Sequence, residues 1–132
     1  MASVAKSGTP GLTTAVPPTS CSVSGLIAGE NIAAGDACYW KASDGKVYRS
    51  NGTAANEAAR VDGFALRDTL AGNAISLYWN VNIAYGTGLT VGAFYYLDTV
   101  AGGLSTVATT GGTVPIAIVL PDGKRIWVRK SY

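Results

Sequence analysis

Three observations predict an all-β domain. Between Ile75 and Tyr85 every second residue is apolar or aromatic (Ile75, Leu77, Trp79, Val81, Ile83, Tyr85), and all those between except Tyr78 are small or polar. That period of two is the pattern of a half-buried strand. The composition also suits strands and tight turns: 17 Gly, seven Tyr and three Trp, with only 14% of residues charged. Finally, Ile32 to Val47 has a diverged second copy at Leu89 to Ser105, at a constant offset of 57 residues. Ile32 falls over Leu89, Gly35 over Gly92, Tyr39 over Tyr96, Trp40 over Leu97 and Gly45 over Gly102. Val61 to Leu66 similarly resembles Val114 to Ile118. Two copies are too few for a solenoid, so they are expected to be halves of one sheet system. With 132 residues and 13.5 kDa, the chain has the length of one domain. The expectation is a small β-barrel-like domain over residues 23–132 with an extended arm over residues 1–22.

The arm is expected because residues 1–22 are mostly Ala, Ser, Thr, Gly and Pro, with Lys6 as the one charge. Prolines fix φ and push the preceding residue to extended conformations. Thr9, Pro10, Leu12, Val16, Pro17 and Pro18 are the candidate contacts of this arm with a neighbouring subunit; a solvated tail would carry more charge. Cys21 to Ala28 should open the folded part as a short strand. Gly35-Asp36 turns into Ala37 to Lys41, and Ser43-Asp44-Gly45-Lys46 reads as a hairpin turn into Val47-Tyr48. Asn51 to Arg60 is the one stretch with a plausible helical turn, and Gly63 to Leu66 returns as a strand. The run Ile75 to Tyr85 is longer than ordinary strands, so a bend or bulge is expected in it. Leu89 to Leu97, Ile116 to Leu120 and Arg125 to Arg129 complete the strands, the last two joined by the turn Pro121-Asp122-Gly123.

Charge is unevenly placed. Residues 25–121 carry a net −2, whereas Asp122 to Tyr132 carries Lys124, Arg125, Arg129 and Lys130 against Asp122 alone. In the final strand Ile126 and Val128 alternate with Arg125, Trp127 and Arg129. The pattern fits first an edge strand whose arginine stems cover the indole; the alternative is a contact surface, where Trp and Arg are enriched. The candidate contacts of this basic tail are Lys124, Arg125, Trp127, Arg129 and Lys130.

No catalytic set is apparent. Histidine is absent, which removes His-based triads and His metal sites. Asp36, Asp44 and Asp122 sit beside glycines in turn sequences, where Asp caps its own backbone. Gly86 to Gly92 misses the dinucleotide spacing by one residue and leads into a strand, and Gly111-Gly112 fails the same test. Cys21 and Cys38 are expected to be free thiols, since nothing near Met1 resembles a secretory leader. Tyr39, Trp40, Tyr78, Trp79, Phe94, Tyr95 and Tyr96 could form a stacking platform for sugar or single-stranded nucleic acid, or supply core and subunit-interface burial. Low charge with a positive mean hydropathy points to a chain covered by partners. No enzyme activity, cofactor, metal or membrane partner is expected, and no specific nucleic acid.

The stretch Gly29-Glu30-Asn31-Ile32-Ala33-Ala34-Gly35-Asp36-Ala37-Cys38-Tyr39-Trp40, with Asp44 to Tyr48, Val61 to Leu66 and Leu89 to Leu97, resembles the small capsid decoration (cement) proteins of tailed bacteriophages. The resemblance covers roughly residues 26–120. It implies a β-tulip-like domain, a homotrimer seated on the outer surface of the virion head after assembly in the host cytoplasm. It also implies that such a chain clamps neighbouring copies of the major capsid protein without catalysis. Related modules in head fibres leave a carbohydrate- or receptor-binding role as the alternative.

Overall fold

The computed structural model describes residues 3–12 and 21–132. Its strands are β1 (Gly11–Leu12), β2 (Ser22–Ile27), β3 (Ala37–Trp40), β4 (Val47–Arg49), β5 (Gly63–Phe64), β6 (Ala74–Tyr78), β7 (Val81–Ala84), β8 (Phe94–Leu97), β9 (Leu104–Ser105), β10 (Ala117–Val119) and β11 (Arg125–Val128). The expected helical turn is a single 3₁₀ turn, Glu57–Ala59, capped by the Asn56 side chain, which accepts from Ala58 N–H. The domain is all-β, built as two antiparallel sheets.

The sheet orders show how far the duplication extends. The first sheet runs β2-β6-β5-β3-β4 and the second β1-β7-β11-β10-β8-β9. With β1 set aside, β7 to β11 repeat the order of β2 to β6 strand for strand. The register repeats as well: Trp40 faces Val47 as Leu97 faces Leu104, and Tyr39 faces Tyr48 as Tyr96 faces Ser105. Matched glycines share left-handed backbones, Gly35 and Gly92 at φ 87° and 81°, Gly45 and Gly102 at 70° and 76°. In the later strands Ala37 pairs Phe64 as Phe94 pairs Ile118, and Phe64 pairs Tyr78 as Ile118 pairs Trp127. The whole domain is one five-stranded unit used twice.

Pleating gives each sheet two faces. We call front the face of Ala37, Phe64 and Tyr78 in the first sheet, and of Phe94, Ile118 and Trp127 in the second. The front of the first sheet and the back of the second share the main core. Ala37 and Phe64 lie in it with Ile83, Tyr95, Leu97, Leu104, Val119, Ile126 and Val128, and Tyr78 packs against it. The back of the first sheet holds a second core of Cys38, Val47, Ile75, Leu77, Ala65, Ala28 and Ile32. Each fully buried Val, Leu, Ile or Phe side chain in these cores contributes about 1.5–3 kcal/mol of transfer free energy.

Several expectations are corrected. The sheets do not close into a barrel. The first curls until Ala28 meets Val47 in a single parallel bridge; the second buries its back by stacking, so closure is not needed to cover it. The run Ile75 to Tyr85 is divided at Trp79-Asn80, where Asn80 has φ 53°, so β6 belongs to the first sheet and β7 to the second. The strand expected from Leu89 starts only at Phe94, because Leu89 N–H donates to Gly123 O and residues 91–92 form a turn.

Residues 3–12 pack along the second sheet. Ser3 bridges Ser105, Val4 N–H donates to Leu104 O, Ser7 N–H donates to Tyr85 O, and β1 pairs with β7. This segment thus runs from one edge strand of the second sheet to the other. Residues 13–20, which include Val16, Pro17 and Pro18, lie outside the described residues.

Candidate docking surface

Among the described residues, no further sheet lies over the front of the second sheet. Ile118 sits between Phe94 and Trp127 in direct register, and Trp127 faces Asn82 on β7. Directly opposed residues on adjacent strands hold their Cβ atoms about 4.5–5.5 Å apart, so Phe94, Ile118 and Trp127 form one apolar row across β8, β10 and β11. Phe94 is 54% exposed; Ile118 and Trp127 are half-buried. With Pro115, Ala117 and Arg129 they line a dimple of about 120 Å³. A solvated sheet face would normally alternate to polar residues. This one instead keeps large apolar groups where the first sheet has Ala37, Phe64 and Tyr78.

Beside the row lies a basic, aromatic cleft of about 330 Å³ lined by Trp79, Asn80, Trp127, Arg129, Lys130 and Tyr132. The Lys130 ammonium stands 4.1 Å from the Trp79 ring centroid and 5.1 Å from that of Tyr132, a cation–π arrangement that holds the charge without a carboxylate. Tyr132 Oη donates to Asp62 at 2.7 Å. Burial and that carboxylate push the phenol up to about 12.

Of the basic-tail residues expected from sequence, Trp127, Arg129 and Lys130 come together at this cleft. Arg125 is drawn to Asp122 at 2.7 Å, and Lys124 is exposed in the adjoining turn. Asp122 accepts from the backbone N–H groups of Lys124 and Arg125 as well as from the guanidinium, which holds its carboxyl down to about 2. Asp44 is a turn cap in the same manner, accepting from Lys46 N–H.

The arm candidates fare differently. Pro10 is buried in the space over Gly35, where a Cβ would come within 2.8 Å of its ring. Leu12 packs on the main core, and of the candidates among the described residues only Thr9 is exposed. Pro10 and Leu12 therefore serve this chain's own domain. Two buried carboxylates secure the segment: Asp36 takes the Lys6 ammonium at 2.6 Å and Ala33 N–H at 2.9 Å, and Asp98 accepts from the Ser3 hydroxyl.

The other acidic and aromatic groups also have structural tasks. Asp62, fully buried, receives the Arg60 guanidinium at 2.9 Å and Trp40 N–H at 3.1 Å. Tyr39 is buried beside Tyr48, with ring centroids 6.2 Å apart, and Tyr95 lies in the main core. The seven-residue platform considered from sequence is thus dispersed. Cys21 and Cys38 are free, and burial pushes the Cys38 thiol far above its ordinary range. Among the described residues no group of three or more His, Cys, Asp or Glu is placed to hold a metal ion, and no helix is long and apolar enough to cross a membrane.

The sequence marks Trp127 but not its row partner Ile118 or the dimple residue Pro115, and it leaves Phe94 between a stacking platform and core or interface burial. Strand pairing, not a constant sequence offset, is what matches Ile118 to Phe64 and Trp127 to Tyr78. Comparison with protein-family models and with curated proteins finds no match for this chain.

Proposed function

We propose that this chain is a structural, non-catalytic decoration protein that binds the outer surface of a tailed-phage head and stabilises contacts between major capsid protein subunits. The observation that carries the reading is the uncovered apolar row Phe94-Ile118-Trp127 with Arg129 at its side. Aromatic and arginine side chains in one partly desolvated patch are the usual energetic centre of a protein interface. Many weak copies of such a contact, repeated by shell symmetry, add up to firm attachment. The resemblance of residues 26–120 to cement proteins supplies the shell as partner and a homotrimer as the assembled form.

The test is addition of the purified protein to expanded heads that lack it. Bound protein should raise the temperature at which heads release their DNA, and light scattering of the protein alone should report three copies. Unchanged heads that retain no added protein would contradict the reading.

One observation favours a second reading, glycan or receptor binding. The cleft of Trp79, Trp127 and Tyr132 carries two cations, which suits an acidic sugar stacked on an indole. Quenching of tryptophan fluorescence by acidic oligosaccharides, lost in Trp79→Ala, would support it; a blank glycan array would remove it.

A further inference from the structure

The duplication shows what kind of surface covers a front face. In the first sheet Phe64 and Ala37 are fully buried, and the back of the second sheet covers them. The second sheet presents the same row in the same register, with Ala37 replaced by Phe94, Phe64 by Ile118 and Tyr78 by Trp127, and among the described residues no second layer lies over it. From this we infer that the front of the second sheet docks sheet-on-sheet against an apolar β face of a different protein, one whose rim carries carboxylates. The inference rests on the decoration reading and names the chemistry of the partner surface.

A second copy of this chain does not meet the requirement. A copy would have to offer a back face, and both back faces are already in use. The back of the first sheet is closed over its own core, where Cys38, Val47 and Leu77 are fully buried. The back of the second sheet already covers the first. The remaining arrangement is front against front. It would be self-complementary about a two-fold axis and would bring the Arg129 and Arg125 of one copy up to those of the other. Arg125 has Asp122 beside it, whereas among the described residues Arg129 has no carboxylate within salt-bridge distance; it donates to Lys130 O at 3.4 Å and lines the dimple itself. Like charges set against each other in a partly desolvated contact are unfavourable, whereas a carboxylate rim would pair them. The dimple takes one aliphatic side chain of the partner as a knob.

The experiment places a photo-crosslinking phenylalanine analogue at Ile118 in the whole chain, and in a second protein at Leu70, which is 64% exposed and lies between β5 and β6 of the first sheet. Each is bound to heads, irradiated and mapped by mass spectrometry after its melting temperature has been matched to wild type. Position 118 should cross-link to a capsid-protein segment of alternating apolar residues with Asp or Glu within a few positions, and position 70 should not. Arg129→Glu should weaken binding by about tenfold or more at low salt, and by less at high salt. Cross-links from position 118 to another copy of this chain would overturn the inference. So would firm binding with no cross-link from 118, or a cross-linked segment without carboxylates; each leaves the decoration reading standing. Failure of the wild-type chain to bind heads, seen before irradiation, overturns that reading and this inference with it.

Discussion

The two sheets share strand order, register and front-face chemistry, yet one front is core and the other is surface. Phe64 is fully buried, and Phe94, on the corresponding face, is 54% exposed. What differs is the layer above. The first sheet has the second over its front; among the described residues the second has no such layer. Apolar residues with the same periodicity therefore hold the fold together in one half and remain available for a partner in the other. The duplication supplies an internal control, since each position has a counterpart under a different cover.

The largest expected difference is between Phe64 and its counterpart Ile118. Phe64→Ala empties a closed site and should cost about 3–5 kcal/mol. Ile118→Ala, on the open row, should cost about 1 kcal/mol or less, as for substitutions near the surface. Urea unfolding of both variants measures the contrast, and equal costs would break it.

Next come the matched turn glycines. Both have left-handed backbones, but a Cβ on Gly45 would meet nothing within 4 Å, whereas one on Gly102 would lie 2.6 Å from Asp36 Cγ. Gly45→Ala should cost about 1–2 kcal/mol, the left-handed penalty alone. Gly102→Ala should add about 1–3 kcal/mol of overpacking, because Asp36 is held by Lys6 and Ala33 N–H and cannot swing aside. Thermal unfolding of the pair sharpens the comparison: the second sheet's hairpin turn is wedged into the first sheet, and the first sheet's own turn is free.

A third contrast lies at the sheet edges. Ala28 meets Val47 directly in the first sheet, while in the second the segment Ser3 to Leu12 fills the interval between β9 and β7. Lys6→Met leaves the buried Asp36 carboxylate with Ala33 N–H as its one donor among the described residues and should cost about 1–3 kcal/mol. Hydrogen exchange should quicken in β7 and β9 and stay unchanged in β2 and β4. Uniform quickening would show that the segment serves both sheets equally.

The smallest effect is in the turn between β10 and β11. Asp122 titrates at about 2 in the folded chain, below its ordinary value of 3.8, because the folded turn supplies N–H donors and the Arg125 guanidinium. A folded value below the unfolded one contributes stability that is present above about pH 4 and is lost as pH falls through about 2. Asp122→Asn should flatten the acid limb of the stability profile over that interval and leave neutral pH nearly unaffected. An unaltered acid limb would mean the turn holds without the carboxylate.

Much of the fold is legible in the chain, and the unread parts have physical reasons. The hairpins β3-β4 and β8-β9 follow from matched glycines and alternating residues, which are local signals. The break at Trp79-Asn80 was hidden because Leu77 and Val81 are an even number of residues apart; both point to a back face, and the period of two runs on although the chain changes sheets. The docking of Ser3 to Leu12 depends on Lys6 finding Asp36 and Ser3 finding Asp98, contacts between distant parts of the chain that no local pattern announces. Trp127 and Arg129 could be read as notable from strand alternation. That their row is uncovered depends on which sheet lies over which, and only the stacking of the two halves decides it.

The most direct test of the account measures unfolding free energy and head occupancy on the same preparation of Phe94→Ser/Trp127→Ser. Loss of occupancy with stability within about 1 kcal/mol of wild type is the predicted result. Occupancy equal to wild type, or destabilisation as large as that of Phe64→Ala, would contradict the claim that the front of the second sheet is a docking face.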